Sequence, residues 1–237
     1  MVIFMIPIEI GYERGSREIG KAYDRIVSAM FMMKERRGMN SFVFTSCERQ
    51  VGNTTVCVSL AAELARIGRK TLLADCDFLK PAEEKRLYQY VEFGLAEHIN
   101  LGVPVENVIY ETDIPKLYYI SGGKRAGNPT AMLWSGRFGD FMKYAGQNYD
   151  FIIFDTAPVL AAPEVCVLAY RASGTALTVQ CGRSRKAQIH AAKSDIEAMS
   201  PNFLGVIVNK TPRGEYKAYQ DSSGFSAILR GPDTTKE

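Results

Sequence analysis

The most informative part of this sequence is the stretch Ser41-Phe-Val-Phe-Thr-Ser-Cys-Glu-Arg-Gln-Val-Gly-Asn-Thr-Thr55. Its first five residues are mostly aromatic or β-branched, which predicts a buried strand over 41–45. A polar loop then leads into a helical pattern over 54–67. A strand, a loop and Gly-x-Thr-Thr at a helix start are the layout of a phosphate-binding loop, whose backbone N–H groups bind phosphate. The stretch therefore predicts a nucleotide-binding loop that contains Gly52, Asn53, Thr54 and Thr55.

The rest of the chain repeats this alternation of strands and helices. Five further apolar runs predict strands over 71–75, 117–120, 151–155, 175–179 and 204–208. Helical spacing of apolar residues also predicts helices over 16–34, 137–147 and 186–199. Continuous rather than alternating apolar runs are typical of parallel strands that are buried on both faces. The sequence therefore predicts an α/β doubly wound fold, with a mainly parallel sheet flanked by helices.

The composition is that of an ordinary globular protein. Of the 237 residues, 46% are hydrophobic and 23% are charged, which excludes collagen-like and wholly disordered chains. The net charge of +3 is too small to indicate binding to nucleic acid, so no nucleic-acid partner is expected. Five cysteines without a C-x-x-C pair favour reduced, buried thiols over a disulfide framework or a zinc site.

The length and the distribution of residue types predict one domain and a tail. We expect a single domain over 1–211 and a mobile C-terminal tail over 212–237, where Gly, Ser, Lys, Asp and Thr dominate. No run approaches the roughly 18 consecutive apolar residues that span a bilayer, and the N-terminus does not resemble a signal peptide. These features predict a cytoplasmic location, with attachment to the inner membrane only through a membrane partner.

Carboxylates stand at the ends of two predicted strands. Asp75 ends the run 71–75, and Asp155 ends the run 151–155. Ligands bind at the carboxyl ends of the strands in an open parallel sheet, so both side chains are expected near the phosphate-binding loop. Together with the Thr54 hydroxyl they are candidate Mg²⁺ ligands. The alternative is structural, with each Asp ending a strand and Thr54 satisfying N–H groups at the helix start.

Several motifs follow the loop in a recognisable order. They are Leu72-Leu-Ala-Asp-Cys-Asp-Phe-Leu-Lys-Pro81, Gly122-Gly123 with Asn128-Pro129, Tyr149-Asp-Phe-Ile-Ile-Phe-Asp-Thr-Ala-Pro-Val159 and Gly205-Val-Ile-Val-Asn-Lys210. In this order the chain resembles the bacterial tyrosine kinases (BY-kinases) of capsular and exopolysaccharide export, which are relatives of the ParA/MinD-type P-loop ATPases. The resemblance covers residues 19–211 and implies a P-loop NTPase-like fold.

The resemblance also implies a cofactor, partners and residue roles. Mg-ATP is the expected cofactor, and Asn209 is expected to contact its adenine. Asp77 is the expected catalytic base for the accepting tyrosine, a surface turn residue being the alternative. Tyr216 and Tyr219 are the candidate phosphoacceptors. The implied partners are a membrane polysaccharide copolymerase, which acts as activator subunit, and further copies of the chain.

The chain departs from the family pattern at three places. Asn53 stands where the family has the Walker A lysine, and Gln50 stands where it has a glycine. The assembly motif Glu-x-x-Arg-x-x-Arg is replaced by Lys21, Asp24 and Val27, which argues against the family ring. Only two tyrosines remain in the tail. These losses predict a pseudokinase or a weak ATP binder.

Two alternatives stay open at this point. One is an active ATP-dependent protein-tyrosine kinase with an unusual loop that autophosphorylates its C-terminal tail. The other is a ParA/MinD-like scaffold with an ATPase fold. Arg49 lies in the same loop and is a candidate replacement for the lysine charge, but a solvated loop arginine is favoured.

Overall fold

The computed structural model describes residues 8–10, 17–79, 91–124 and 127–212. Its strands are β1 (Ser41–Ser46), β2 (Thr71–Cys76), β3 (Ile109–Glu111), β4 (Leu117–Ile120), β5 (Phe151–Thr156), β6 (Gly174–Gln180) and β7 (Phe203–Asn209). Its helices are α1 (Arg17–Arg37), α2 (Asn53–Arg66), α3 (Leu95–Leu101), α4 (Pro129–Trp134), α5 (Gly136–Asn148), α6 (Glu164–Arg171) and α7 (Lys186–Met199).

The strands form one sheet in the order β3-β4-β2-β5-β1-β6-β7. All neighbours pair in parallel except β3, which is antiparallel to β4. The six predicted strands are therefore confirmed, as is the mainly parallel doubly wound fold. The predictions missed β3, because a strand of three residues is too short to show a pattern.

Helices cover both faces of the sheet, and successive side chains of a strand point to opposite faces. Phe42 and Phe44 of β1 pack in one cluster with α1 and α2, whereas Val43 between them packs in a second cluster with α3–α6. The third cluster joins α6 and α7 to β6. Burial on both faces explains why the strands read as continuous apolar runs.

The four predicted helices are present, and three shorter ones were missed. The missed helices α3, α4 and α6 have seven, six and eight residues, so each has only about two turns in which a periodic pattern could show. The start of α4 does carry a local signal, because Asn128 Oδ1 accepts a hydrogen bond from Ala131 N and Pro129 follows it. The predicted helix over 137–147 is preceded in the same way by Ser135, whose Oγ accepts from Phe138 N.

Two further expectations concern thiols and membrane spans. No disulfide joins the five cysteines; Cys47, Cys57 and Cys76 are buried, but Cys166 and Cys181 are partly exposed. Within the described ranges, no helix combines the length and the apolar character needed to cross a membrane. The tail tyrosines Tyr216 and Tyr219 lie outside the described residues.

Candidate nucleotide-binding site

The loop between β1 and α2 has the backbone of a phosphate cradle. Gln50 has φ 66° and Gly52 has φ 90°, so both lie in the left-handed region that favours glycine. The first helical hydrogen bond of α2 runs from Val56 N to Gly52 O at 3.0 Å. The N–H groups of residues 53–55 precede that bond, and Thr54 and Thr55 are exposed. The loop therefore presents the start of α2 to an anionic ligand.

Contacts from the turn after β6 and from the end of β7 hold this loop in place. The Glu48 carboxylate accepts a 2.8 Å hydrogen bond from Ser184 Oγ and lies 3.7 Å from Arg183 Nε. Asn209 Nδ2 donates to Val51 O at 2.9 Å, and Lys210 Nζ donates to Gln50 O at 2.7 Å. The end of β7 thus secures the part of the loop where Gln50 replaces the family glycine.

Asn53 is turned into the protein beneath the loop. Its Nδ2 donates to Phe44 O and to Asp155 Oδ1, both at 2.8 Å, and more weakly to Thr156 O at 3.4 Å. The residue is 8% exposed, and its Oδ1 is buried without a hydrogen-bond partner among the described residues. A neutral amide bound to Asp155 therefore stands at the position of the family lysine.

The two strand-end carboxylates are neighbours in register. Asp75 of β2 pairs with Asp155 of β5, so their Cα atoms lie about 4.8 Å apart, the usual spacing of adjacent strands. Asp75 Oδ2 accepts from Tyr119 OH at 3.4 Å, and Asp155 Oδ1 accepts from Cys57 Sγ at 3.6 Å. Burial, and next the negative charge of Asp155, raise the pKa of the Cys57 thiol well above its ordinary value. The thiol therefore stays protonated and donates.

Asp77 lies directly after β2 on the wall of the same crevice. Its backbone N–H donates to Asp75 Oδ1 at 3.1 Å, which fixes the turn out of the strand. Gly122 approaches this turn closely, since a Cβ on Gly122 would lie 3.1 Å from Asp75 O and 3.4 Å from the Phe78 ring. The turn that carries Asp77 and the Gly122-Gly123 loop therefore pack together beside Asp75.

The structure brings most predicted site residues to one edge of the sheet. Gly52, Asn53, Thr54, Thr55, Asp75, Asp77, Asp155 and Asn209 all lie at or just beyond the carboxyl ends of parallel strands. Their individual roles in binding or catalysis stay predictions. Arg49 is exposed on the loop, which agrees with a solvated loop arginine.

The residues present fit a phosphate group but lack the lysine of the family's loop. The loop backbone and the start of α2 suit a phosphate. In the described part of the chain, no three His, Cys, Asp or Glu side chains are grouped to hold a metal ion. One oxygen of Asp155 already accepts from Asn53, and the loop lacks the lysine charge beside a terminal phosphate. Mg²⁺ beside a nucleotide is held by one or two protein oxygens together with phosphates and water, so Thr54, Asp75 and Asp155 are the residues that would hold it here.

Four residues around the crevice were not predicted. Cys57 and Tyr119 bind the carboxylates from α2 and β4, and their long sequence separation leaves no local signal. Lys210 is adjacent to Asn209 and could have been noticed as a cation at the same strand end. Glu97 is buried and accepts from Gly94 N at 2.8 Å and from Lys124 N at 2.9 Å. Its position three residues after Gly94, at the start of α3, is the spacing of a capping box.

Comparison with known proteins identifies the family. Residues 49–184 match the AAA domain family. Tyrosine-protein kinase CpsD of Streptococcus agalactiae is 31% identical over 167 residues, which cover 70% of this chain and 73% of CpsD. The BceF tyrosine kinase domain is 28% identical with a TM-score of 0.68, over 82% of this chain and 75% of that one. The chimerical protein CapA2B2 shares the fold, with a TM-score of 0.77 and 24% identity over 88% and 95% of the two chains. The chain belongs to the bacterial tyrosine kinase family.

The positions of the family's assembly motif lie on α1. Lys21 and Asp24 are exposed on this helix. Val27 is 6% exposed and packs in the core cluster between α1, α2 and the sheet. The third position of the motif is therefore part of the core of this chain.

Proposed function

We propose that this chain is a kinase-impaired BY-kinase of capsular or exopolysaccharide biosynthesis and export. It acts through contact with the cytoplasmic part of a membrane polysaccharide copolymerase rather than by phosphorylating tyrosine. The kinship with CpsD and the order of the sequence motifs support the biological setting. The observation that carries the impairment is the 2.8 Å hydrogen bond between Asn53 Nδ2 and Asp155 Oδ1.

The physical reason is the charge that phosphoryl transfer requires. Catalysis of this reaction is mostly positioning and electrostatic stabilisation, and a loop lysine neutralises charge that develops on the transferred phosphoryl group. Asn53 is neutral, and its side-chain amide donates hydrogen bonds to Phe44 O and Asp155 Oδ1. By analogy with the removal of one preorganised donor, the rate falls by about 10²–10³.

An active kinase is the second candidate, and one observation favours it. The carboxylates Asp75, Asp77 and Asp155 all remain at the carboxyl edge of the sheet, beside an intact loop backbone. In that case Asp77 takes the proton of the accepting tyrosine. Tyr216 and Tyr219 are then the acceptors in the tail.

Detection of phosphotyrosine separates the two candidates. The full chain is incubated with Mg-ATP, with and without the cytoplasmic segment of a membrane polysaccharide copolymerase. We expect no phosphotyrosine in either sample, and we expect binding of the copolymerase segment in a parallel calorimetric titration. Phosphorylation of Tyr216 or Tyr219 that disappears in Asp77→Asn would establish the active kinase instead. Absence of binding to the copolymerase segment would contradict the proposed partner and favour the scaffold alternative.

A further inference from the structure

The two outer edges of the sheet differ in what covers them. At the β3 edge, Ile8 N donates to Glu111 O at 2.9 Å, and Asp113 N donates to Ile8 O at 3.0 Å. Ile8 is 2% exposed and packs in the cluster with α1 and α2. The sheet order ends at β7 on the other side, where no strand among the described residues pairs with its outer edge. A segment that precedes α1 therefore shields one edge, and the structure describes no such cover for the other.

The outer edge of β7 has backbone groups that a further strand can bind. Cys181 N donates to Asn209 O, so the backbone groups of Asn209 face β6. The backbone groups of successive residues in a strand alternate between its two sides, so the N–H and C=O groups of Val206 and Val208 face away from β6. The register with β6 is regular over 205–209. A regular edge of this kind is a template for pairing with another extended segment.

The exposed side chains on this strand are apolar. Val206 is 43% exposed and Val208 is 47% exposed. They lie opposite Leu177 and Val179 of β6, whose side chains pack in the third cluster with α7. Paired residues of neighbouring strands point to the same face of a sheet, so both valines lie on the α7 face at the rim of this cluster. An added strand with apolar side chains on that face would extend the cluster and remove the valines from water.

One run in the sequence after β7 has the pattern of such a strand. Gly, Ser, Lys, Asp and Thr dominate from residue 212 on, but Phe225-Ser-Ala-Ile-Leu229 places apolar side chains at the alternate positions 225, 227 and 229. Gly224 precedes this run and Gly231-Pro232 follows it, which is typical of the bounds of a short strand. The 15 residues over 210–224 connect the run to β7 and reach about 50 Å when extended. This connection is long enough for the chain to turn back along a strand of seven residues.

We propose that the outer edge of β7 binds residues 225–229 of the same chain as a further, antiparallel strand. The chain leaves β7 at its carboxyl end, so a direct return along the same edge is antiparallel. The short connection gives the run a high effective concentration at this edge, which favours it over a second copy of the chain. The run covers Val206 and Val208, as the segment before α1 covers the β3 edge. Tyr216 and Tyr219 then belong to a connection that is closed at both ends on their own chain.

The test is hydrogen–deuterium exchange of the full chain, measured at single backbone amides by NMR. The amides of Val206 and Val208 are expected to exchange at least about tenfold more slowly than in the double variant Phe225→Asp with Leu229→Asp, whose charges oppose burial of the run. The matched control, Thr234→Asp with Thr235→Asp, adds the same two charges outside the run and is expected to leave the exchange unchanged. Fast exchange at both valines in the unmodified chain, or equal protection in the double variant, would overturn the inference.

Dilution and a change on β7 itself test which segment occupies the edge. Pairing within one chain does not depend on concentration, so the protection is expected to be the same over about a tenfold dilution. Protection that falls on dilution would show that the edge pairs with a second copy and would contradict the proposal. Val206→Asp with Val208→Asp places two charges at exposed positions of the edge and is expected to speed exchange at the protected amides of 225–229 by at least about tenfold. Unchanged protection of these amides would show that the run binds elsewhere.

Discussion

The side-chain amide of Asn53 donates a 2.8 Å hydrogen bond to Asp155, from the first residue of α2 to the end of β5. The family places a lysine at the first of these positions and a metal-directed carboxylate at the second. In this chain the two residues bind each other beneath the loop. The loop therefore keeps the shape of a phosphate cradle but lacks the lysine of the family.

Restoring the family residues should restore binding of Mg-ATP. Asn53→Lys combined with Gln50→Gly adds the missing cation and relieves the left-handed backbone at Gln50, whose φ is 66°. We expect the affinity for Mg-ATP to rise at least about tenfold. Calorimetric titration measures it, with Asn53→Ala as the variant that breaks the bond to Asp155 without adding charge. No gain in the double variant would mean that the crevice is closed for another reason.

The oligomer should not be the family ring. Lys21, Asp24 and Val27 replace the assembly pattern, and Val27 is buried in the core of its own chain. An arginine at this position would place a guanidinium in an apolar cluster, which is strongly unfavourable. Light scattering is expected to give a mass below that of the eight-subunit ring that the family resemblance implies. A stable octamer would show that another surface replaces the motif.

Gly52 should be much less tolerant of a side chain than Gly182. Both have positive φ, 90° and 70°, but a Cβ on Gly52 would lie 2.5 Å from Asn209 Nδ2, whereas one on Gly182 meets no described atom within 4 Å. We expect Gly182→Ala to lower the free energy of unfolding by about 1 kcal/mol and Gly52→Ala to lower it by roughly 2–3 kcal/mol. Urea denaturation measures both. Equal losses would mean that Asn209 moves aside without cost.

The Asp150–Lys34 pair should make stability depend on pH in the acid range. Burial works to raise the pKa of Asp150, but the Lys34 ammonium at 3.1 Å and the Lys70 N–H at 3.0 Å outweigh it and lower the pKa below the ordinary 3.8. Because folding lowers the pKa of Asp150, its ionised form stabilises the folded state at pH values above the ordinary pKa of 3.8. This stabilisation is lost as the pH falls through the folded-state pKa.

Asp150→Asn measures this contribution directly. At neutral pH we expect it to lower the free energy of unfolding by about 1 kcal/mol, since the pair is partly exposed and screened by solvent. The difference in the free energy of unfolding between the variant and the unmodified chain should shrink as the pH falls below the pKa of an ordinary aspartate. Urea denaturation across this range, with the exposed carboxylate variant Asp140→Asn as control, is the measurement. A difference that stays constant with pH would exclude the ion pair as its source.

The doubly wound sheet and the loop between β1 and α2 can both be recognised in the sequence alone. Strands such as 151–155 are buried on both faces, so their apolar runs are continuous and can be read locally. The same topology brings the carboxyl ends of parallel strands to one edge, which is why Asp75 and Asp155 could be assigned to a common site. Short elements such as β3 and α4 are not predicted, because they contain too few residues to show a hydrophobic periodicity.

The hydrogen-bond partners of the site residues, in contrast, cannot be read from the sequence. Asn53 and Asp155 are 102 residues apart, Asp75 and Tyr119 are 44 apart, and Gln50 and Lys210 are 160 apart. The direction of each side chain depends on which strand or helix packs beside it, and neighbours in a parallel sheet are distant in sequence. The sequence could name Asn53 as a departure from the family. That its amide turns inward onto Asp155, while Lys210 reaches the loop from the opposite side, follows from the packing of β1 between β5 and β6.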